Sequence, residues 1–304
     1  MSSKVRLRAV AGGAGGSWYV LMEGLARLVG EIHRDIRIDV IEGGGVSNHA
    51  RVGSGEIPMG ILNPPMTAAA IAGRRPYERM HPALRIGVAN LTTNYLHCFV
   101  ERALPIDSVA AWLAQRRPLR MPVDRVGTVD RMVFQLTLDH FGVSESDIQR
   151  WGGSLVPANN YDEQLALYRA DSVNALWQFM AIPSPSIEAA NKLRPLRPLP
   201  LAESLVTTLE NLGWTAAILP EGAYGIVAGR VPTVSMGTSL GFHAGVADDV
   251  VYRIVGAICA HAERVRRTHP AAADFDPAAA HRLSRGPLHP GAMRYFREVG
   301  LLPQ

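Results

Sequence analysis

Val5, Leu7, Ala9 and Val10 make an alternating apolar run that predicts a buried strand, and Leu21, Leu25, Leu28, Val29 and Ile32 follow it at helical spacing. Between them lies Gly12-Gly13-Ala14-Gly15-Gly16-Ser17-Trp18-Tyr19, so the segment reads as strand, glycine loop, helix. Ile36 to Ile41 alternates again and ends in Glu42-Gly43-Gly44-Gly45-Val46-Ser47-Asn48, before a short helix over Ser47 to Val52. Met59 to Leu62 is a third strand, ending in Asn63-Pro64-Pro65, with a helix from Thr67 to Ala72. Three such units in succession predict an α/β fold with a parallel sheet and ligand loops at the carboxyl ends of its strands.

Leu84 to Leu91 reads as another strand, and Asn94 to Glu101 follows with no room for a helix between them, as where a chain leaves one domain for another. The middle of the chain repeats the pattern: a strand at Leu119 to Val123, a loop Arg125-Val126-Gly127-Thr128, and a helix burying Val129, Met132, Val133, Leu136 and Phe141. An apolar strand spans Val173 to Met180, and Pro232 to Leu240 reads as a second crossing strand. Asp248-Asp249 opens a long helix whose stripe runs from Val250 to Val265, the acids suiting its positive end. The expected organisation is one lobe from both chain ends, 1–95 and 236–304, and a second lobe, 96–235, inserted between them.

Composition narrows the class. Of 304 residues 47% are hydrophobic and 19% charged, and no run approaches the ~18 apolar residues of a membrane span, so no direct membrane insertion is expected. The net charge of +4 comes from scattered arginines, with Lys4 and Lys192 the only lysines; without a basic run interleaved with aromatics, nucleic acid is not an expected partner. Cys98 and Cys259 lie in apolar segments and read as two buried thiols, with a disulfide between them left open.

Candidate chemistry centres on the first glycine loop. Glycines let the backbone approach a ligand, and a helix starting near Ser17 turns free N–H groups and a positive dipole end toward a carboxylate or phosphate. The alternative is a tight turn without a ligand. The ten histidines show no His-Glu-x-x-His, no Cys-x-x-Cys and no paired histidines beside a carboxylate; Gly-x-Ser-x-Gly and a Walker lysine are absent too. No catalytic residue, metal site or cofactor is therefore expected. His97 reads as a core histidine, and Tyr224 has too little context to assign.

With these residues in place the sequence resembles the TAXI family of solute-binding proteins, receptors of a subset of TRAP transporters. The stretches that carry the resemblance are Gly15 to Tyr19, Gly43 to Asn48 through Ser54-Gly55-Glu56, Pro220-Glu221-Gly222-Ala223-Tyr224 with Val231 to Val234, Asp248 to Tyr252, and Leu288 to Ala292 through Arg297 to Leu301. The resemblance implies a two-lobed periplasmic-binding-protein-like fold of class II, with a ligand cleft between lobes joined by two crossing strands. It also implies a small carboxylate-bearing solute, of amino-acid or dicarboxylate type, on which the lobes close by a hinge motion. Carried over by position, contacts come from Gly16, Ser17, Trp18, Tyr19, Ser47, Asn48 and Thr128.

Two departures bear on the ligand. Asn63-Pro64-Pro65 stands where the family has Gln-Ser-Asp, and Arg125-Val126-Gly127-Thr128 stands where it has Gly-Ser-Gly-Thr. Asn63 thereby joins the candidates. Arg125 is read either as a guanidinium clamp for a ligand carboxylate or as a surface arginine. Trp177 and Gln178 end a strand expected to point into the cleft, with packing the stronger reading for Trp177.

Exported, such a receptor would work in the periplasm with the membrane components of a TRAP transporter. That requires a leader removed ahead of this sequence, because Met1-Ser2-Ser3-Lys4 runs straight into the first strand. If Met1 is the native start, the expectation shifts to the cytoplasm and to an enzyme on the same fold, for example a decarboxylase of a small carboxylate. A scaffold that has lost its ligand is a third reading.

Overall fold

A computed structural model describes residues 4–13, 17–282 and 285–304. The chain forms two compact units, one made of residues up to Thr93 together with those from Met236 on, the other of Asn94–Ser235.

The first unit opens with β1 (Val5–Val10), α1 (Ser17–Ile32), β2 (Ile36–Ile41), α2 (Gly45–Gly53), β3 (Met59–Leu62), α3 (Pro64–Ala72) and β4 (Leu84–Val88). The chain then runs through the inserted unit: β5 (Thr93–Glu101), α4 (Val109–Ala114), β6 (Arg120–Asp124), α5 (Val129–His140), α6 (Glu145–Arg150), β7 (Ser154–Ala158), α7 (Tyr161–Arg169), β8 (Ala175–Met180), α8 (Pro185–Leu193), β9 (Leu196–Pro198), α9 (Glu203–Asn211), β10 (Thr215–Leu219) and β11 (Val231–Gly237). It returns through β12 (Ser239–His243), α10 (Asp248–Ala260), α11 (Ala262–Arg266) and α12 (Pro290–Glu298).

In the first unit the sheet order is β2-β1-β3-β12-β4. β1 pairs in parallel with both β2 and β3, which aligns the three glycine- or proline-containing loops at one edge. β12 lies antiparallel between β3 and β4, so the sheet is mixed rather than wholly parallel. Its position is a long-range pairing that hydrophobic alternation cannot specify. The core packs Leu21, Leu25 and Leu28 of α1 and Val251, Ile254 and Ile258 of α10 with Ala9, Met59, Ile61 and Phe242 of the strands.

Several boundaries differ from the sequence reading for local reasons. α3 starts at Pro64 and not Thr67: prolines fit a helix's first turn, where their missing N–H has no partner to lose, and Asn63 caps them. α2 starts at Gly45. β4 stops at Val88, because Asn90 adopts φ 56 and its Nδ2 donates to the carbonyls of Ala279 and Arg282. The single strand expected at Pro232 to Leu240 is two, β11 and β12, and the long helix breaks at His261 although Val265 stays buried beyond it.

The inserted unit has a sheet ordered β10-β11-β5-β8 with β9 also on β5, and a separate parallel pair, β6-β7. Cys98 and Cys259 are both free and buried, which resolves the alternative left open by their spacing in favour of thiols. Among the described residues no helix is long and apolar enough to cross a membrane.

Candidate functional site

In the first unit, the loops after β1 and β2 are zipped together before either helix begins. Ala11 donates its N–H to the Ile41 carbonyl (3.0 Å) and Gly43 donates to Gly12 (3.1 Å). A Cβ on Gly43 would lie 2.1 Å from Asn48 Oδ1 and 2.4 Å from Val10 Cγ2, so this crossing requires glycine. Asn48 completes the junction. Its Nδ2 donates to the carbonyls of Ala11 (2.7 Å) and Ile61 (2.9 Å), and its Oδ1 accepts the Gly44 N–H (2.8 Å). One buried amide thus staples the ends of β1, β2 and β3.

His49, one residue on and fully buried, ties α2 to the loop after β3. Nδ1 donates to the Gly45 carbonyl (2.8 Å) and Nε2 accepts the Asn63 N–H (3.2 Å), a tautomer assigned from these partners. Burial pulls its pKa down to about 4, so the ring is neutral near pH 7. The Tyr77 hydroxyl donates to the Val46 carbonyl (3.1 Å) and pins the first turn of α2 from another side.

The three helix heads differ in what they leave free. Gly44, the residue capping α2, is extended (φ −164, ψ 162) and has no side chain to cap with. Among the described residues the N–H groups of Gly45, Val46 and Ser47 have no acceptor, and Ser47 is exposed, its hydroxyl donating to the Gly44 carbonyl (3.3 Å). These N–H groups and the positive end of the helix form an anion-binding arrangement. α3 is closed in comparison. Pro64 and Pro65 have no N–H, and the Met66 N–H is taken by Asn63 Oδ1 (3.2 Å). At α1, Ser17 is exposed while Trp18 and Tyr19 are half-buried against the core. Gly16, expected as a contact, lies outside the described residues.

In the inserted unit Arg125 and Thr128 share the loop between β6 and α5. Thr128 caps α5: its Oγ1 accepts the Arg131 N–H (3.2 Å) and donates to the Arg125 carbonyl (3.0 Å). Arg125 is exposed, and its guanidinium has no hydrogen bond or ion pair among the described residues, whereas Arg131 pairs with Glu145. Trp177 and Gln178 are buried in the middle of β8 and do not project from the end of a strand. Trp177 donates Nε1–H to the Asp130 carbonyl (3.2 Å) and packs edge-on to Phe134; Gln178 donates to Gln164 (3.0 Å) and accepts from Ser186 (2.7 Å). Their partners are internal, which makes both framework residues in this conformation.

Asp130 is the feature the sequence reading missed. Buried in the first turn of α5, its Oδ1 accepts the Phe179 N–H (2.7 Å) and the Tyr161 hydroxyl (2.9 Å), joining α5, α7 and β8. Burial first, then the neighbouring Asp124 charge, raises its pKa to about 7. An acid early in a helix is ordinary, so nothing in the sequence marks it. His97 is buried as expected of a core residue: Nδ1 donates to the Tyr95 carbonyl (2.9 Å) and Nε2 accepts from the Tyr224 hydroxyl (2.7 Å), which in turn accepts the Ser184 N–H (2.9 Å). Among the described residues no group of three or more His, Cys, Asp or Glu side chains is placed to hold a metal.

Comparison with known proteins gives a consistent fold. The sequence model of the NMT1-like family matches residues 10–300. No curated protein sequence matches. Among solved structures, a TctC solute-binding protein from Polaromonas, determined without ligand, is 14% identical at TM-score 0.53, covering 99% of this chain and 99% of its own. A Rhodopseudomonas palustris protein with adipate is 17% identical at TM-score 0.53, covering 97% of this chain and 94% of its own. MatC from the same organism, with bound malate, is 15% identical at TM-score 0.51, covering 97% of each chain. The fold is that of periplasmic binding proteins.

Proposed function

The chain belongs to the NMT1-like family, and from that premise we propose that it is a solute-binding receptor for a small carboxylate-bearing solute. The observation that carries the proposal is the head of α2. Among the described residues three N–H groups are left without acceptors at the carboxyl end of a strand in a parallel array, and a buried asparagine, a buried histidine and a tyrosine hold them in place. Preorganised donors of this kind bind an anion without reordering the loops. Ser17 and Ser47 supply exposed hydroxyls beside the two helix heads, whereas Asn48 acts by positioning, since its hydrogen-bonding groups are already used within the chain.

The adipate and malate bound by two proteins of the same fold support a carboxylate as the solute's charged end. The TAXI resemblance supports the finer reading: a receptor outside the cytoplasm that serves a TRAP-type transporter, with Thr128 and Arg125 as further candidate contacts for the solute. Calorimetry and thermal-shift measurements over a panel of small mono- and dicarboxylates test the proposal. The expected result is at least one acid that binds at a single site; a panel without heat or thermal shift rejects it. Mass spectrometry of small molecules released from the denatured protein then identifies the natural solute.

A further inference from the structure

Asn63 is fully buried, and while its Oδ1 is fixed on the Met66 N–H, its Nδ2 has no acceptor among the described residues. A buried donor without a partner is uncommon in a folded protein and calls for an acceptor from elsewhere. The amide plane sets the direction of this donor: with Oδ1 facing the first turn of α3, Nδ2 is turned away from Met66. The position is also tied to the uncapped helix head, because a single imidazole, His49, spans from the Gly45 carbonyl to the Asn63 N–H. α3 itself offers nothing to a ligand at this point. Pro64 and Pro65 remove two donors and Asn63 Oδ1 takes the next, so the first turn of α3 leaves the Asn63 side-chain amide as its donor among the described residues.

We infer that Asn63 is a specificity-determining residue whose Nδ2–H donates to one oxygen of the solute's carboxylate while the N–H groups at the head of α2 hold the other. The inference rests on the receptor reading and deepens it by naming what the site excludes. The Asn63 amide nitrogen and the N–H groups at the head of α2 are all donors, so a carboxylate, which only accepts, fits between them. A primary amide in the same place would set its own NH2 against donors. The arrangement therefore selects acids over their amides, using a neutral side chain in place of a third helix head.

The experiment is calorimetry on the full chain with three probe pairs: butyrate and butyramide, succinate and its monoamide, glutamate and glutamine. Asn63→Ser and Asn63→Asp both keep an oxygen to cap Met66, so the fold is expected to persist, and thermal unfolding of each variant checks it. For an acid that binds the wild type, N63S is expected to weaken binding at least about tenfold, the loss of one hydrogen bond to a charged group. N63D, which exchanges the donor for an acceptor, is expected to lose the acid and to narrow the acid-to-amide preference by about tenfold or more, a change in ratio that a purely structural role of Asn63 would not produce. If both variants hold the acid within about threefold of wild type, this inference is wrong while the receptor reading stands. If the wild type binds none of the three acids, the receptor reading fails for them and the inference falls with it.

Discussion

Gly44→Asp separates anion binding at α2 from a merely structural role of its glycines, because the two predict effects of opposite sign. Gly44 is extended, a conformation open to any residue, and a Cβ there meets only Ser47 Oγ, at 3.5 Å. Aspartate in this position caps the N–H groups of Val46 and Ser47 and sets a negative charge against the helix dipole. Replacing a glycine cap contributes a few tenths of a kcal/mol and the dipole term about 0.3–1 kcal/mol, so the variant is expected to be more stable by ~1 kcal/mol. In a unit of this size that raises Tm by about 2–4 °C. The same carboxylate occupies the donors proposed for the solute and repels its charge. Two charge-assisted hydrogen bonds at about 1.5–3 kcal/mol each imply an affinity loss of at least ~100-fold. Differential scanning fluorimetry and calorimetry on wild type and G44D, with an acid that binds the wild type, read both effects. A variant with raised Tm and unchanged affinity would refute the assignment of the solute's charge to α2.

The remaining predictions address packing, charge and pH. Gly43→Ala forces a methyl into Asn48 and Val10, and urea unfolding is expected to show a loss of about 1–3 kcal/mol or more; an unchanged midpoint contradicts the described loop crossing. Arg125→Ala is expected to weaken acid binding in calorimetry with little change in Tm, since the side chain is exposed and unpaired among the described residues; equal affinity assigns Arg125 to the surface. The buried imidazoles of His49 and His97 have pKa values lowered to about 4, so their contribution is complete above the ordinary histidine value of 6.5 and is lost as pH falls toward 4, about 3 kcal/mol each. Asp130 has the opposite sign. Its pKa is raised from 3.8 to about 7, so its relative stabilisation is complete at low pH and is lost as pH rises through 7. Asp130→Asn is therefore expected to raise Tm at pH 8 more than at pH 5, and a pH-independent effect of this substitution contradicts a buried, titrating carboxyl.

The alternation of strands, glycine loops and amphipathic helices was legible because each element is written in a local period: two for β1 and β2, near 3.6 for α1 and α10. Loop chemistry was legible in part. The glycines at 43 to 45 announced a close backbone approach, and Thr128 stood where a helix cap belongs. Asn63-Pro64-Pro65 was read as the end of a strand, although Asn before two prolines is equally the start of a helix, and only the first-turn geometry distinguishes them.

By itself the sequence determined the class of fold, the order of its elements and the places where backbone N–H groups gather, because those follow from spacing and from glycine. The tertiary structure decided what each polar side chain there does. Asn48 and Ser47 are adjacent in the chain, yet one is buried with its groups committed to Ala11, Ile61 and Gly44, and the other is exposed beside free N–H groups. Asp130 and Asp139 belong to the same helix, yet Asp139 is exposed while β8 and Tyr161 cover Asp130, and that burial raises the Asp130 pKa to about 7. Hydrogen-bond satisfaction and desolvation are set by residues far away in sequence, so the donors left for a solute emerge only after the chain has closed around its own.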